Sequence, residues 1–305
     1  MRVLLAVTLL FGALTPVVWA DGCMMVSEAA WKTGRERALI NEPEQKAVVY
    51  FSKGREDLII SPSYEGPSGS FAWVVPVPAR PKVEIVKGAI FHELAALTQP
   101  PPSDAFSNRR NKGVMAAAPA PVTVLERKTV GAYDVSVLSA TDGQALVKWL
   151  MANKYHMPAK AVGPIKSYVK QGWTFVACRI KAPGAAKGLR TGTLAPLKLT
   201  FNTKRPVYPM KLSAANPKSF RVLVYLILPS REIPQDTFRV WLVSSSKHPK
   251  GSGLAATLKQ HQKQYPTLAK LTGEKAQVFM YGAYVTPAEC TTDYIWKLPT
   301  RVAGR

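Results

Sequence analysis

The hydrophobic pattern predicts a protein that begins with strands. Aliphatic, β-branched and aromatic residues dominate 46–51, 57–60 and 71–78, and turn residues separate these runs, as is typical of strands. The tetrapeptide 52–55 contains Gly54, which readily adopts the positive φ that a tight hairpin requires. We therefore expect the first two strands to form a hairpin, followed by a third strand.

Three segments in the first 170 residues have helical spacing instead. Residues 89–97 predict a short helix, and Thr141 or Asp142 can cap a second one. A third helical segment has an apolar face and a lysine-bearing polar face. The apolar residues of that segment are Val162, Ile165, Tyr168 and Val169, and the lysines outside that face are Lys160, Lys166 and Lys170.

The remaining apolar runs complete a mixed pattern. Strands are predicted at 122–125, 133–138, 173–180, 194–201, 220–228, 238–243, 277–285 and 294–298. Residues 254–271 have a mainly helical pattern, which Pro266 interrupts. The whole pattern predicts an α+β fold, with mainly antiparallel sheets and a few packed helices.

The N-terminus has the pattern of an export signal. Arg2 precedes an apolar run, and Val18-Trp19-Ala20 fits a signal peptidase site, so we expect residues 1–20 to be a signal peptide. Gly12 and Pro16 break the run, which makes a membrane anchor the weaker interpretation. Lipidation of Cys23 is a further alternative, but Asp21 fits a lipobox badly. We expect a protein that is periplasmic or extracellular, with no transmembrane span after cleavage.

The mature chain is predicted to form one α+β domain in two parts. Residues 21–98 form its N-terminal part, and residues 122–305 form its basic C-terminal part. Proline- and alanine-rich residues 99–121 lie between them and have no face that could join a core, which predicts a linker or an exposed loop.

Charge is distributed unevenly over the chain, whose net charge is +22. Residues 143–231 contain 16 Lys and Arg and no Asp or Glu. Such a segment predicts a positive field that attracts anions, although a solvated surface without a partner has the same composition. The first interpretation assigns binding to Lys160, Lys166 and Lys170, with anionic envelope glycans, lipid headgroups or an acidic protein as partners. Nucleic acid is disfavoured, because the lysines do not alternate with aromatic residues.

Three cysteines in an exported chain allow one disulfide. Cys178 lies within an apolar strand pattern and is expected to be a small buried residue. Cys23 and Cys290 lie near the two termini, where a bridge would hold ends that otherwise fray. We therefore predict a Cys23–Cys290 disulfide.

No catalytic, metal or cofactor motif is present. His92-Glu93 begins like a zinc-protease helix, but Ala96 occupies the position of the second histidine. We therefore predict no metal and no cofactor, and favour a non-catalytic binding or envelope-associated protein. The alternative is a secreted hydrolase with a dispersed site, whose carboxylates would come mainly from Glu56, Asp57, Glu65, Asp134, Asp142, Glu232 and Asp236.

Several short motifs are similar to one bacterial family. The chain resembles domain of unknown function 2330 over most of residues 45–212. The most specific motif is Phe71-Ala72-Trp73-Val74-Val75-Pro76-Val77-Pro78, and Gln45-Lys46-Ala47-Val48-Val49-Tyr50, Ser63-Tyr64-Glu65-Gly66 and Tyr208-Pro209-Met210 support it. The resemblance implies an exported α+β domain, and it implies no catalytic residues.

Overall fold

A computed structural model describes residues 23–26, 41–65, 70–98, 123–130, 133–153, 157–181, 191–229, 241–242, 254–256, 263–272 and 276–298. The predicted signal peptide and the predicted segment 99–121 lie outside the described residues. Within the described part, no helix is long and apolar enough to cross a membrane.

Strands and helices are interspersed along the chain. The strands are β1 (Cys23–Val26), β2 (Glu44–Ser52), β3 (Arg55–Glu65), β4 (Ser70–Val77), β5 (Lys82–Ile85), β6 (Thr123–Val130), β7 (Tyr133–Ser139), β8 (Thr174–Lys181), β9 (Thr191–Thr193), β10 (Leu197–Asn202), β11 (Val207–Tyr208), β12 (Phe220–Pro229), β13 (Trp241–Leu242), β14 (Leu254–Ala256), β15 (Ala276–Val285) and β16 (Tyr294–Ile295). The helices are α1 (Ala89–Thr98), α2 (Gly143–Ala152), α3 (Ala159–Lys170) and α4 (Pro266–Thr272), with 3₁₀ turns at Lys211–Ala215 and Pro287–Glu289.

The strands form three sheets in the described part of the chain. The order is β1-β4-β8-β7-β6 in a five-stranded sheet and β13-β15-β12-β2-β3-β10-β5 along a nine-stranded sheet, in which β14 also pairs with β15 and β9 with β3. β11 and β16 form a separate pair. Pairing is antiparallel except between β2 and β12. The predicted α+β fold with mainly antiparallel sheets is confirmed.

The two large sheets pack face to face. Tyr64 of β3 contacts Phe71 of β4, with ring centroids 5.0 Å apart, and the Tyr133 hydroxyl of β7 donates to the Ala195 carbonyl just before β10. On the other face of the five-stranded sheet, Tyr168 of α3 contacts Phe175 of β8. α1 and α4 pack with the outer face of the nine-stranded sheet in a second core. The molecule therefore has four layers, with α2 and α3 outermost on one side and α1 and α4 on the other.

Two predictions that depend on residues close together in the chain are confirmed. β2 and β3 form the predicted hairpin, whose turn has positive φ at Lys53 and Gly54. Asp142 caps α2, because its carboxylate accepts the Ala145 N–H at 2.6 Å.

The prediction for 254–271 was partly wrong. Residues 254–256 form strand β14, because they pair with the edge of β15, and Pro266 begins α4 instead of interrupting a helix. Proline suits the first helical position, where the missing N–H leaves no bond unmade.

Candidate functional site

α3 places the three predicted binding lysines on the protein surface. The helix buries Ala161, Ile165, Tyr168 and Val169 against the rest of the molecule. Lys160, Lys166 and Lys170 are all exposed, as their spacing predicts. The structure thus brings these three lysines onto one helix face, and their role in binding stays a prediction.

α2 extends this basic surface. It lies beside α3 because Gly143 leaves room for Lys166: a Cβ at position 143 would be 2.7 Å from Lys166 Cγ and 2.9 Å from its Cα. The lysine stem therefore packs against α2, while much of the side chain remains exposed. Lys148 is also exposed on α2. We call Lys148, Lys160, Lys166 and Lys170 the lysine face.

The positive charge of the lysine face is not neutralised by neighbouring acids. None of its four lysines forms an ion pair with another residue that the structure describes. Some other surface lysines do form ion pairs. Lys82 and Lys198, for example, bind Glu84 at 2.8 and 2.9 Å, and these hydrogen bonds lower the pKa of Glu84 to about 2. α2 and α3 contain no Asp or Glu and only the exposed Asp142 directly precedes α2, so their outer side carries a net positive charge.

A buried polar cluster lies behind α3. The Asp293 carboxylate accepts a hydrogen bond from the Tyr168 hydroxyl and further bonds from the backbone N–H groups of Met210, at 2.8 Å, and Lys211, at 3.2 Å. Lys211 Nζ lies 3.0 Å from the other Asp293 oxygen and 4.5 Å from the centre of the Tyr168 ring. The cluster joins α3, the 211–215 turn and the C-terminal segment.

This cluster resembles acid–base machinery only in its residue types. Lys211 Nζ lies 3.4 Å from Ser167 Oγ, a pair that would need a neutral lysine to activate the serine. Lys211 Nζ forms an ion pair with Asp293 instead. Burial, and then Asp293, raise the pKa of Tyr168 well above its usual value, so the phenol keeps its proton. These contacts support a structural role.

Glu56, one of the carboxylates considered for a hydrolase, has a buried environment that the sequence did not predict. Its side chain is fully buried in β3, where one carboxyl oxygen accepts the Val207 N–H at 2.8 Å and the other has no hydrogen-bond partner. Burial raises the pKa of Glu56 well above its usual value, and the nearby Asp57 adds to that effect. Burial therefore favours the protonated form of this side chain.

The other carboxylates considered for a hydrolase are spread over different elements. Asp57 accepts a bond from Thr200, Glu65 binds Lys218 and the Asn41 amide, Asp134 accepts from Thr129, and Asp142 caps α2. Glu232 and Asp236 lie outside the described residues. The structure does not bring the described carboxylates together into a shared site.

Glu93, which follows His92 as in a zinc-protease helix, has a structural role instead. Its carboxylate accepts the backbone N–H groups of Thr267, at 3.0 Å, and Leu268, at 2.7 Å. These donors belong to the first turn of α4 and have no partner within that helix. Within the described residues, no group of three or more His, Cys, Asp or Glu side chains could hold a metal ion.

The predicted Cys23–Cys290 disulfide is absent, which corrects the sequence analysis. Cys23, Cys178 and Cys290 are all free and buried. Cys23 is held in β1 by pairing with β4, and Cys290 ends the 287–289 turn. Both terminal segments are thus secured by other contacts, so neither needs a bridge to prevent fraying. Burial raises the pKa of Cys290 to about 12, with a smaller contribution from Glu289, which disfavours the thiolate that oxidation requires.

The model of one protein family matches almost the entire chain. The model of the family described as "uncharacterized protein conserved in bacteria", domain of unknown function 2330, matches residues 24–301. The chain belongs to this family. The match includes every described strand and helix except the first residue of β1. No curated protein and no solved structure matches the chain.

Proposed function

We propose that this protein is an exported, non-catalytic binding protein whose lysine face binds anionic components of the cell envelope. The observation that carries the proposal is the combination of exposure and missing counter-charge in the outer layer formed by α2 and α3. Its lysines keep their charge available to a partner, because no described acid pairs with them. Export is supported by the apolar run and the cleavage pattern of residues 1–20.

The chemistry of lysine fits attraction to an extended anion. An ammonium is a hydrated point charge on a flexible stem, whereas the arginine fork recognises individual carboxylates and phosphates in a fixed geometry. α2 and α3 contain lysine and no arginine. Binding should therefore depend on the number of charges and on ionic strength more than on any single contact.

Sedimentation with the cell envelope fraction tests the proposal. The protein is purified from cells after processing. N-terminal sequencing of this mature form is expected to begin at Asp21. Binding is compared at about 0.01 M and about 1 M salt, between which the Debye length falls from about 30 to about 3 Å. We expect binding at low salt, loss at high salt, and strong weakening in the Lys160→Glu/Lys166→Glu/Lys170→Glu variant.

A matched variant controls for the change in net charge. Lys87, Lys263 and Lys270 are also exposed, but they lie at or near α1 and α4, on the opposite side of the molecule. Reversing these three lysines to Glu changes the total charge by the same amount and should leave most envelope binding intact. Equal losses in the two variants would show that only the overall charge matters, and the proposal would fail.

A further inference from the structure

We infer that the partner of the lysine face is a lipid surface with anionic headgroups, and that Met151 enters the apolar boundary below them. This inference rests on the proposed function and names its partner. It depends on one apolar side chain that the charge argument leaves unexplained.

Met151 is exposed near the C-terminal end of α2, at one end of the basic layer. Of the large apolar side chains in the described part of the chain, only Met151, Tyr284 and Ile295 are exposed, with 55%, 66% and 41% of their surface accessible. Met151 is the one on α2. It follows Lys148 by three residues, so the two side chains project from the same side of the helix.

The antiparallel arrangement of α2 and α3 brings Met151 close to Lys160 and places Lys166 and Lys170 towards the other end of α2. The first residue of α2, Gly143, lies against Lys166 in the second half of α3. The C-terminal end of α2, with Met151, therefore lies beside the N-terminal end of α3, with Lys160. A ten-residue helix is about 15 Å long, so Met151 and the lysines share a surface of about that length.

This combination fits a lipid surface better than a soluble polyanion. Lysines bind anionic headgroups while an apolar side chain beside them enters the boundary between headgroups and acyl chains. A sulfated or carboxylated polymer would attract the same lysines, but it offers Met151 no apolar environment. Two helices side by side also present an outer layer that can lie along an extended surface.

The expected strength follows from the charges. Each lysine near an anionic membrane contributes roughly a fivefold gain in binding. Reversing Lys160, Lys166 and Lys170 should therefore weaken vesicle binding by at least roughly a hundredfold. Replacing Met151 by Ser should weaken vesicle binding by roughly fivefold, since about half of the Met151 side chain is available for burial in the membrane.

Sedimentation with vesicles tests the inference directly. The probes are phosphatidylcholine vesicles with and without phosphatidylglycerol, and dextran sulfate is the soluble polyanion. Of the two kinds of vesicle, we expect the protein to bind only those that contain phosphatidylglycerol. Met151→Ser should weaken that binding and leave dextran sulfate binding unchanged, while Met151→Leu should retain both. Circular dichroism of each variant controls for folding.

The outcomes separate this inference from the proposed function. If the protein binds dextran sulfate but not the vesicles, or if Met151→Ser binds vesicles as well as the wild type does, the lipid assignment is wrong and the broader proposal survives. If the protein binds neither probe nor the envelope fraction, both ideas fail. A loss of vesicle binding in Met151→Ser that Met151→Leu does not show would support the lipid assignment.

Discussion

Replacing Asp293 by Ala should destabilise this protein far more than its position near the C-terminus suggests. The Asp293 side chain is 4% exposed, and Lys211, which it binds at 3.0 Å, is 17% exposed. The change would leave the Lys211 cation, the Tyr168 hydroxyl and two backbone N–H groups without their acceptor. Breaking a buried ion pair by removing one partner costs about 3–5 kcal/mol of unfolding free energy.

The surface provides an ion pair of similar length for comparison. Glu126 and Lys128 approach to 2.7 Å, but their side chains are 32% and 31% exposed. Solvent screens that pair, so Glu126→Ala should cost about 1 kcal/mol or less. The contrast separates the effect of burial from the effect of distance.

Urea denaturation of the single variants and of a double-mutant cycle measures these energies. Lys211→Met removes the cation but keeps an apolar stem. The Asp293→Ala/Lys211→Met protein should lose less stability than the two single losses together, by about 1–3 kcal/mol. Our account of the cluster would be refuted if Asp293→Ala cost no more than Glu126→Ala, or if the two single losses simply added.

Two further predictions concern buried titratable groups. Because burial raises the pKa of Glu56 in the folded state, its contribution to stability is fully present below the unfolded value and is lost as pH rises through the folded value. Glu56→Gln, measured by urea denaturation, should therefore match the wild type near pH 4 and become progressively more stable than the wild type towards pH 8; equal pH dependence in both proteins would contradict this. The three cysteines should resist alkylation in the native protein and all react after unfolding without a reductant; a linked Cys23–Cys290 peptide in a non-reducing map would overturn the free-thiol assignment.

The local pattern of the sequence determined much of the secondary structure. The β2–β3 hairpin, its Gly54 turn, the Asp142 cap and the two faces of α3 could all be predicted, because each depends on residues close together in the chain. The lysine face was predictable in part for the same reason. Helical spacing placed Lys160, Lys166 and Lys170 outside the apolar side.

Only the tertiary structure decided how distant segments meet. The parallel pairing of β2 with β12 joins residues more than 170 positions apart, and no local pattern specifies that choice. The contact between Gly143 and Lys166, which adds Lys148 and Met151 to the basic layer, also depends on helix packing.

The tertiary structure also decided the environments of individual polar residues. Glu56 lies between Arg55 and Asp57, in a stretch whose composition suggests exposure, yet the fold buries it completely. Cys23 and Cys290 were expected to pair because they lie near the termini, but β1 and the 287–289 turn each hold one of them elsewhere. Periodicity reports which side of an element a residue occupies, whereas burial, pKa and bonding partners depend on what the folded chain places opposite that side.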